Sequence, residues 1–580
     1  MRSLMATCLS LSLAACAFEP AEMEDTIERN VCAEDAECGD AACVDGMCVA
    51  MEVEDPLQVM LEITPVRAPN GEASLPIVID GITVDGTDEL EQILPFPRDF
   101  EGRIRSEGVP IEAEISFVPV DTVPGLTVDP ITASTAARDV DDAEDADYSV
   151  RLLEGADYHM EVLPTDPMFP PFHRTVTASL DADADISVDY GELAMRRQTF
   201  VFADVPASRT LQVRAYDSDN GDPVSSAAVI EDGEATLLFS PGSMPYRLEV
   251  RAEETYDQAA EAGSSDCQRS TGTFPILRVD SEQLEDPQAE RIELTLPAPP
   301  QLIRFEGTAE LCSDAAEQVS VLPITLRTRN VLLGEQGDAD PGFIGMFTAT
   351  ADATKSEAND RYTFCVEVLP GEYDVVVTPP PSTQCALFAE TRLVKGPAEG
   401  EPASGTLLQL PRAASLAATL KTMDLSPLAG ADVDAIALGR SDTILLEEGD
   451  VSVTSYNRSG QTVTDEQGEF TLLVDLGSYD VTIKPPVASG FAWQVRRDVN
   501  IGRRGASFST TIDMASPVAI NGELSYGAVA QDTLEGAQIR AFAVVEDAVG
   551  DKRAIAIGRA DADVEGRFIL LLPPSIREGW

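Results

Sequence analysis

Lysine is almost absent from this 580-residue chain, with five in all at Lys355, Lys395, Lys421, Lys484 and Lys552. Lysine and arginine together number 40 against 101 aspartates and glutamates, for a net charge of −61. So large an acidic surplus repels phosphate-rich partners and excludes nucleic acid and bare anionic membrane as ligands. Histidine is scarcer still, with only His159 and His173. His159 alternates with apolar neighbours in Tyr158-His159-Met160-Glu161-Val162 and is expected to face water, while His173 falls in a proline-rich stretch read as a loop. Neither Gly-x-Ser-x-Gly nor His-Glu-x-x-His occurs, so serine or zinc hydrolysis has no starting point and no enzyme is expected. Acid pairs of the kind glycosidases use are uninformative among 101 carboxylates. Beyond the amino terminus no apolar run approaches the 18 or so residues of a membrane-spanning helix.

What the chain does have is 44% hydrophobic residues, enough to build cores despite the charge. At roughly 100–200 residues per domain the length allows about three to six domains.

The first sixteen residues, MRSLMATCLSLSLAAC, combine a basic Arg2, an apolar stretch and small residues before Cys16. They read as a signal peptide over residues 1–15, too short to span a membrane. Leu13-Ala14-Ala15-Cys16 resembles the lipobox of bacterial lipoproteins. That resemblance implies cleavage before Cys16, a lipid on its sulfur, and membrane attachment through that lipid alone. With Ala17 next, the expected location is the outer membrane, at the cell surface or the periplasmic face, reached by the general export pathway.

Of ten cysteines, setting aside Cys8 and Cys16 leaves eight, the even number an oxidising compartment favours. Cys32, Cys38, Cys43 and Cys48 crowd a segment with few apolar side chains, which needs staples to fold. No histidine lies nearby and Cys-x2-Cys pairs are lacking, which argues against zinc. Two disulfides are expected there, in any of three pairings. The segment resembles the small C-x5-C-x4-C-x4-C module that follows the lipobox in large bacterial surface lipoproteins. Cys267, Cys312, Cys365 and Cys385 are expected to form two more bonds. Cys365 falls out of phase with Phe364 and Val366, so it should point away from its own core toward a loop or neighbour.

A repeat runs through the remainder. One element is an alternating strand, a turn and a small-residue strand, seen at 102–117, 213–230, 307–326, 418–435 and 522–542. Phe-Glu-Gly recurs at Phe100-Glu101-Gly102 and Phe305-Glu306-Gly307. The second element is clearest at 464–486 and 360–380 and looser at 145–164 and 234–250. In it, Phe470, Leu472 and Val474 share one face at the strand period of two, and Tyr479, Val481 and Ile483 follow after Gly477. This reads as a two-strand hairpin, ended by Pro485 and Pro486, that must bury its apolar face against the first element.

Gly-x-Phe-x-Leu followed by Gly-x-Tyr-x-Val resembles the carboxypeptidase regulatory-like domain, a transthyretin-like sandwich related to the B-type repeats of collagen adhesins. The resemblance implies an all-β fold, a tandem array of Greek-key antiparallel β-sandwiches after a small disulfide-rich module. The expected layout is a signal peptide (1–15), an acidic linker (16–31), the disulfide-rich module (32–48) and an N-terminal β segment (49–98). Sandwiches follow at 99–198, 199–300, 301–413, 414–515 and 516–580. The last keeps Gly566-Arg567-Phe568 but stops before a Gly-x-Tyr strand, so it reads as incomplete, with an edge open to a partner.

Asp181, Asp183, Asp185, Asp189 and Glu192 match parts of a calcium-binding loop, but Ile186 stands where the sharp turn needs glycine. The simpler reading makes Ile186, Val188 and Tyr190 alternate on a strand closing the first sandwich. No cofactor is expected beyond this possible calcium. The chain is therefore read as a non-enzymatic, lipid-anchored surface protein, a structural or adhesive stalk of repeats. The alternative is a glycan- or calcium-binding surface protein using sandwich loops, for which Trp493, one of two tryptophans, would be an exposed aromatic or a cap on its own core.

Overall fold

Sandwich IV carries the plan of the whole chain in the computed structural model, which describes residues 32, 42–44, 47–50, 56–65, 76–95, 97–124, 128–135, 147–166, 168–179, 186–207, 209–219, 221–252, 267–269, 275–298, 302–312, 319–332, 343–356, 361–395, 406–438, 442–446, 449–453, 458–475, 477–501, 507–526, 534–546 and 552–580. In IV, strand Ala414–Lys421 lies between Glu469–Val474, antiparallel, and Ser507–Asp513, parallel. The facing sheet runs Gly460–Val463, Asp432–Leu438, Gly477–Lys484, Gln494–Ile501. Leu416, Leu420, Phe470 and Leu472 from one sheet meet Val433, Tyr479, Val481 and Ile483 from the other in one core. Each such side chain, taken fully from water, contributes about 1.5–3 kcal/mol.

The Gly-x-Phe and Gly-x-Tyr strands do not form the expected hairpin. Glu469–Val474 and Gly477–Lys484 belong to opposite sheets. Tyr148–Leu153 and Asp157–Pro164 in sandwich I divide in the same way, as do Glu234–Phe239 and Tyr246–Ala252 in II. In III, Tyr362–Val368 and Gly371–Val377 lie apart in one eight-stranded sheet that encloses a single core. Period-two alternation identifies an inward face but not which sheet carries it, so a hairpin and a corner between sheets look alike in sequence. A tyrosine latches three of these corners. The Tyr373 and Tyr479 hydroxyls donate to the carbonyls of Leu369 (2.7 Å) and Asp475 (3.2 Å), and the Tyr158 hydroxyl accepts from the Leu153 N–H at 3.0 Å.

The recurrent glycine of the first element has a packing reason. Gly102, Gly307 and Gly522 pair across strands with Tyr148, Phe364 and Phe568. A Cβ on Gly522 would come 2.1 Å from the Phe568 ring, and one on Gly102 2.3 Å from the Tyr148 ring. Each aromatic lies over bare backbone on its partner strand.

The fifth sandwich is not left incomplete, and the N-terminal β segment is not a separate unit. Val518–Tyr526 pairs antiparallel with Arg567–Leu572 and parallel with Thr87–Leu94. Leu57–Thr64 is inserted between Ile77–Val84 and Gln538–Glu546, which in turn pairs with Lys552–Asp561. Val59, Leu61, Ile63, Val84 and Leu94 share one core with Ile520, Ile539, Ile557, Phe568 and Leu570. Strand for strand this is sandwich IV, with its last three strands supplied from the start of the chain. Even the irregularity is kept. The register shift between Leu57–Thr64 and Ile77–Val84 matches the one between Gly477–Lys484 and Gln494–Ile501. Gly81 and Asp498, both at positive φ, stand at these two kinks.

Because V holds both ends of the chain, it touches both I and IV, and the contacts form a closed circuit where tandem repeats suggested an open stalk. V meets I through Met60, Val123 and Phe542 and a hydrogen bond from the Ala554 N–H to the Pro124 carbonyl (3.0 Å). His173 of I, on a strand and not in a loop, contacts the Pro223 carbonyl of II at 3.0 Å. II and III exchange strands: Ile344–Met346 extends a sheet of II, and Gln268–Arg269 pairs with Tyr362–Val368 of III. Between III and IV, the Arg458 guanidinium grips Asp475 and donates to the carbonyls of Pro379 and Cys385. IV meets V through Arg553, which pairs with Asp480 and Asp498, and through Trp580 edge-on to Phe470.

Candidate functional site

The cysteines place the covalent links. Cys32 bonds Cys43, and Cys48, opposite Cys43 on the neighbouring strand, is disulfide-bonded too. This module sits on V, where the Ala50 N–H donates to the Pro517 carbonyl at 2.7 Å. Cys267 bonds Cys365, tying II to III, and Cys312 bonds Cys385 within III. Cys365 does turn away from its own core, toward the neighbouring sandwich. Cys16 and Cys38 lie outside the described residues.

Asp181, Asp183 and Asp185 also lie outside them. Asp189 accepts a hydrogen bond from the Gly191 N–H at 2.8 Å, and the Glu192 N–H donates to the Asp189 carbonyl at 3.0 Å, so both residues shape a turn. Ile186, Val188 and Tyr190 are buried in the core of I, and Val188-Asp189 pairs parallel with Ile104–Ser106, in keeping with the strand reading. Trp493 is half-buried, with the Lys484 ammonium 4.8 Å from its ring centroid and that ammonium bonded to Asp434 at 2.5 Å. The ring face already has a cation on it.

The outer face of sandwich II carries a constellation that the sequence reading passed over. Arg214, Glu249 and Arg278 stand in one row across three neighbouring strands. Arg247 and Arg251 flank Glu249 along its own strand, on the same face at the period of two. Glu249 is 2% exposed. Its Oε2 accepts from Arg251 Nε at 3.0 Å. Its Oε1 lies 2.6 Å from Arg278 Nε and 3.4 Å from Arg247 Nε. Neither of those two Nε atoms has a hydrogen-bond partner in good geometry. Arg214 is held separately, donating to the Ser225 carbonyl at 3.2 Å. Burial lowers the pKa of Arg214 and of Arg278; the nearby guanidiniums push the same way in both cases, while Glu249 opposes the shift at Arg278. Arg251 is raised, because Glu249 outweighs its burial. Its guanidinium carbon lies 5.3 Å from the Tyr216 ring centroid. The Arg247-Leu248-Glu249-Val250-Arg251 alternation was a readable signal, but the juxtaposition with Arg214 and Arg278 arises only from strand pairing.

V carries the opposite character. An open groove of about 720 Å³ is lined by Glu89, Glu91, Glu523, Asp561 and Asp563, with Arg567 among them.

No family model matches this chain, and no curated protein does. Solved structures similar to it include the Bacillus anthracis TIE protein, at 11% identity over 72% of this chain and 74% of that one, with a TM-score of 0.14. A Streptococcal ancillary pilin is 11% identical over 55% of this chain and 99% of that one, with a TM-score of 0.18. The pilus adhesin SpaC from Lactobacillus rhamnosus GG, in its open conformation, is 9% identical over 70% and 56%, with a TM-score of 0.15. At such scores these likenesses carry no argument, and the all-β sandwich fold rests on the strands and cores themselves.

Proposed function

We propose that this is a non-enzymatic surface protein, exported by the general pathway and held to the outer membrane by a lipid on Cys16, that acts as a structural and adhesive scaffold. Its repeats are sandwiches of the carboxypeptidase regulatory-like kind. The observation that carries the reading is the closed circuit of junctions. Each of the five sandwiches spends its interior on an apolar core, and each meets two neighbours through strands, ion pairs, apolar contacts or a disulfide. Such a body suits rigid display of its outer faces close to the anchor, because the amino-terminal module rests on V.

Small-angle scattering of the soluble ectodomain tests the closure. Units of 100 residues have a radius of gyration of about 13 Å, so five in a closed ring give about 30 Å and five in an open file about 50 Å. A value near 50 Å overturns the closed scaffold. Membrane fractionation of Cys16→Ser cells tests the anchor, with release of the protein from the membrane as the expected outcome.

A further inference from the structure

We propose that the outer face of sandwich II is a binding site for an anionic polysaccharide, whose oxyanion groups are taken by Arg214, Arg247, Arg251 and Arg278. This rests on the surface-scaffold reading and adds the class of ligand to it. The first ground is charge. In a chain of net −61, four guanidiniums converge on one sheet face around a single buried carboxylate. Three of them contact Glu249, which has only two oxygens and balances one charge. Arg214 is bonded to a neutral carbonyl. Asp280, directly opposite Arg247 on the next strand, and Glu161, near Arg214, offset part of the remaining charge, so four guanidiniums face three carboxylates and the face keeps a net positive charge. Cations crowded and partly desolvated in this way gain from an added anion.

The second ground is the setting. The face is a flat piece of sheet with the Tyr216 ring beside Arg251, suited to an extended chain and not to an enclosed small molecule. Carboxylates rim it: Asp280 stands one row from Arg278 on the same strand, and Glu161 of sandwich I lies near enough to Arg214 to act on its charge. A broad acidic protein surface would press against those carboxylates. A nucleic acid, with one charge per roughly 1.7 Å of duplex, would do the same. A polysaccharide with charges spaced sugar by sugar can thread between them.

Titration calorimetry on the intact ectodomain tests this with heparin as the sulfated probe and polygalacturonate as the carboxylated one. Dextran, polyglutamate and a single-stranded oligodeoxynucleotide complete the set. Saturable, salt-sensitive binding to at least one anionic polysaccharide is expected, and none to dextran. Arg214→Gln with Arg251→Gln should weaken it about tenfold or more, leaving Arg247 and Arg278 to hold Glu249. Glu249→Gln removes the internal competitor and should tighten binding several-fold, an effect that a purely structural cluster would not produce. Arg214→Gln alone, which leaves the Glu249 contacts intact, serves if the double variant fails to fold, and should weaken binding severalfold. The proposal is overturned by the absence of saturable binding to both anionic polysaccharides. Undiminished binding in a folded arginine variant, or tighter binding to polyglutamate or the oligonucleotide, overturns it equally. A closed array that binds no polysaccharide leaves the scaffold reading standing, whereas an open file overturns that reading instead.

Discussion

Sandwiches IV and V have the same strand order, the same kink and the same kind of core, but IV is written in one continuous stretch and V in two pieces from opposite ends of the chain. Ile483 and Ile63 occupy matching positions, each fully buried. Lys484 reaches Asp434 across 50 residues, whereas Arg540 reaches Glu62 across 478. Circular permutation therefore leaves the packing unchanged and alters only the loop that must close. For an unstructured chain that difference adds about 2 kcal/mol of closure entropy to V. It also makes V the clasp through which the circuit of sandwiches is shut.

The largest test of this comparison removes residues 57–94. Three of the seven strands of V go with them, so the amides of 518–572 should lose their hydrogen-exchange protection while those of 414–513 keep theirs. Protection of 518–572 that survives the deletion would break the equivalence. Next in size, Ile63→Ala and Ile483→Ala should each cost about 2–5 kcal/mol, measured as local stability by exchange. Pulse-labelling during refolding should show Leu57–Thr64 protected later than Gly477–Lys484, because its partners lie so much farther along the chain. Equal rates would mean that V gains nothing from waiting for its distant half. The smallest effect separates the two at one atom. Tyr479→Phe removes the corner hydrogen bond to Asp475 and should cost about 1 kcal/mol. The matching residue in V is Val59, and there the two strands come from opposite ends of the chain, so that corner and its hydrogen bond have no counterpart in V.

Much of the fold was legible because it is local. Alternation at Phe470, Leu472 and Val474 announces a strand with one inward face, and the returning Gly-x-Phe and Gly-x-Tyr count the copies. The glycine at 102, 307 and 522 was visible as a repeat, though its reason was not, since only strand pairing brings Tyr148, Phe364 and Phe568 over the bare backbone. Segment 49–98 reads as a β segment with no repeat partner, because the strands that complete its sandwich, 538–546 beside Leu57–Thr64 and 518–526 beside Thr87–Leu94, stand more than 400 residues away. The arginine face was hidden for the same reason. Arg247 and Arg251 are two residues from Glu249 in sequence, but Arg214 and Arg278 join them only across the sheet.

The amino-acid sequence by itself determined that the chain is an array of β-strands with apolar inner faces, and that five copies of one sandwich are present. Periodicity and turn chemistry are properties of neighbouring residues, and they decide as much. Which sheet each strand enters, which cysteine meets which, and that the first strands complete the last sandwich were decided by the tertiary structure. Those choices depend on pairing between distant backbones, where the free energy comes from burying two faces together and neither face alone specifies its partner.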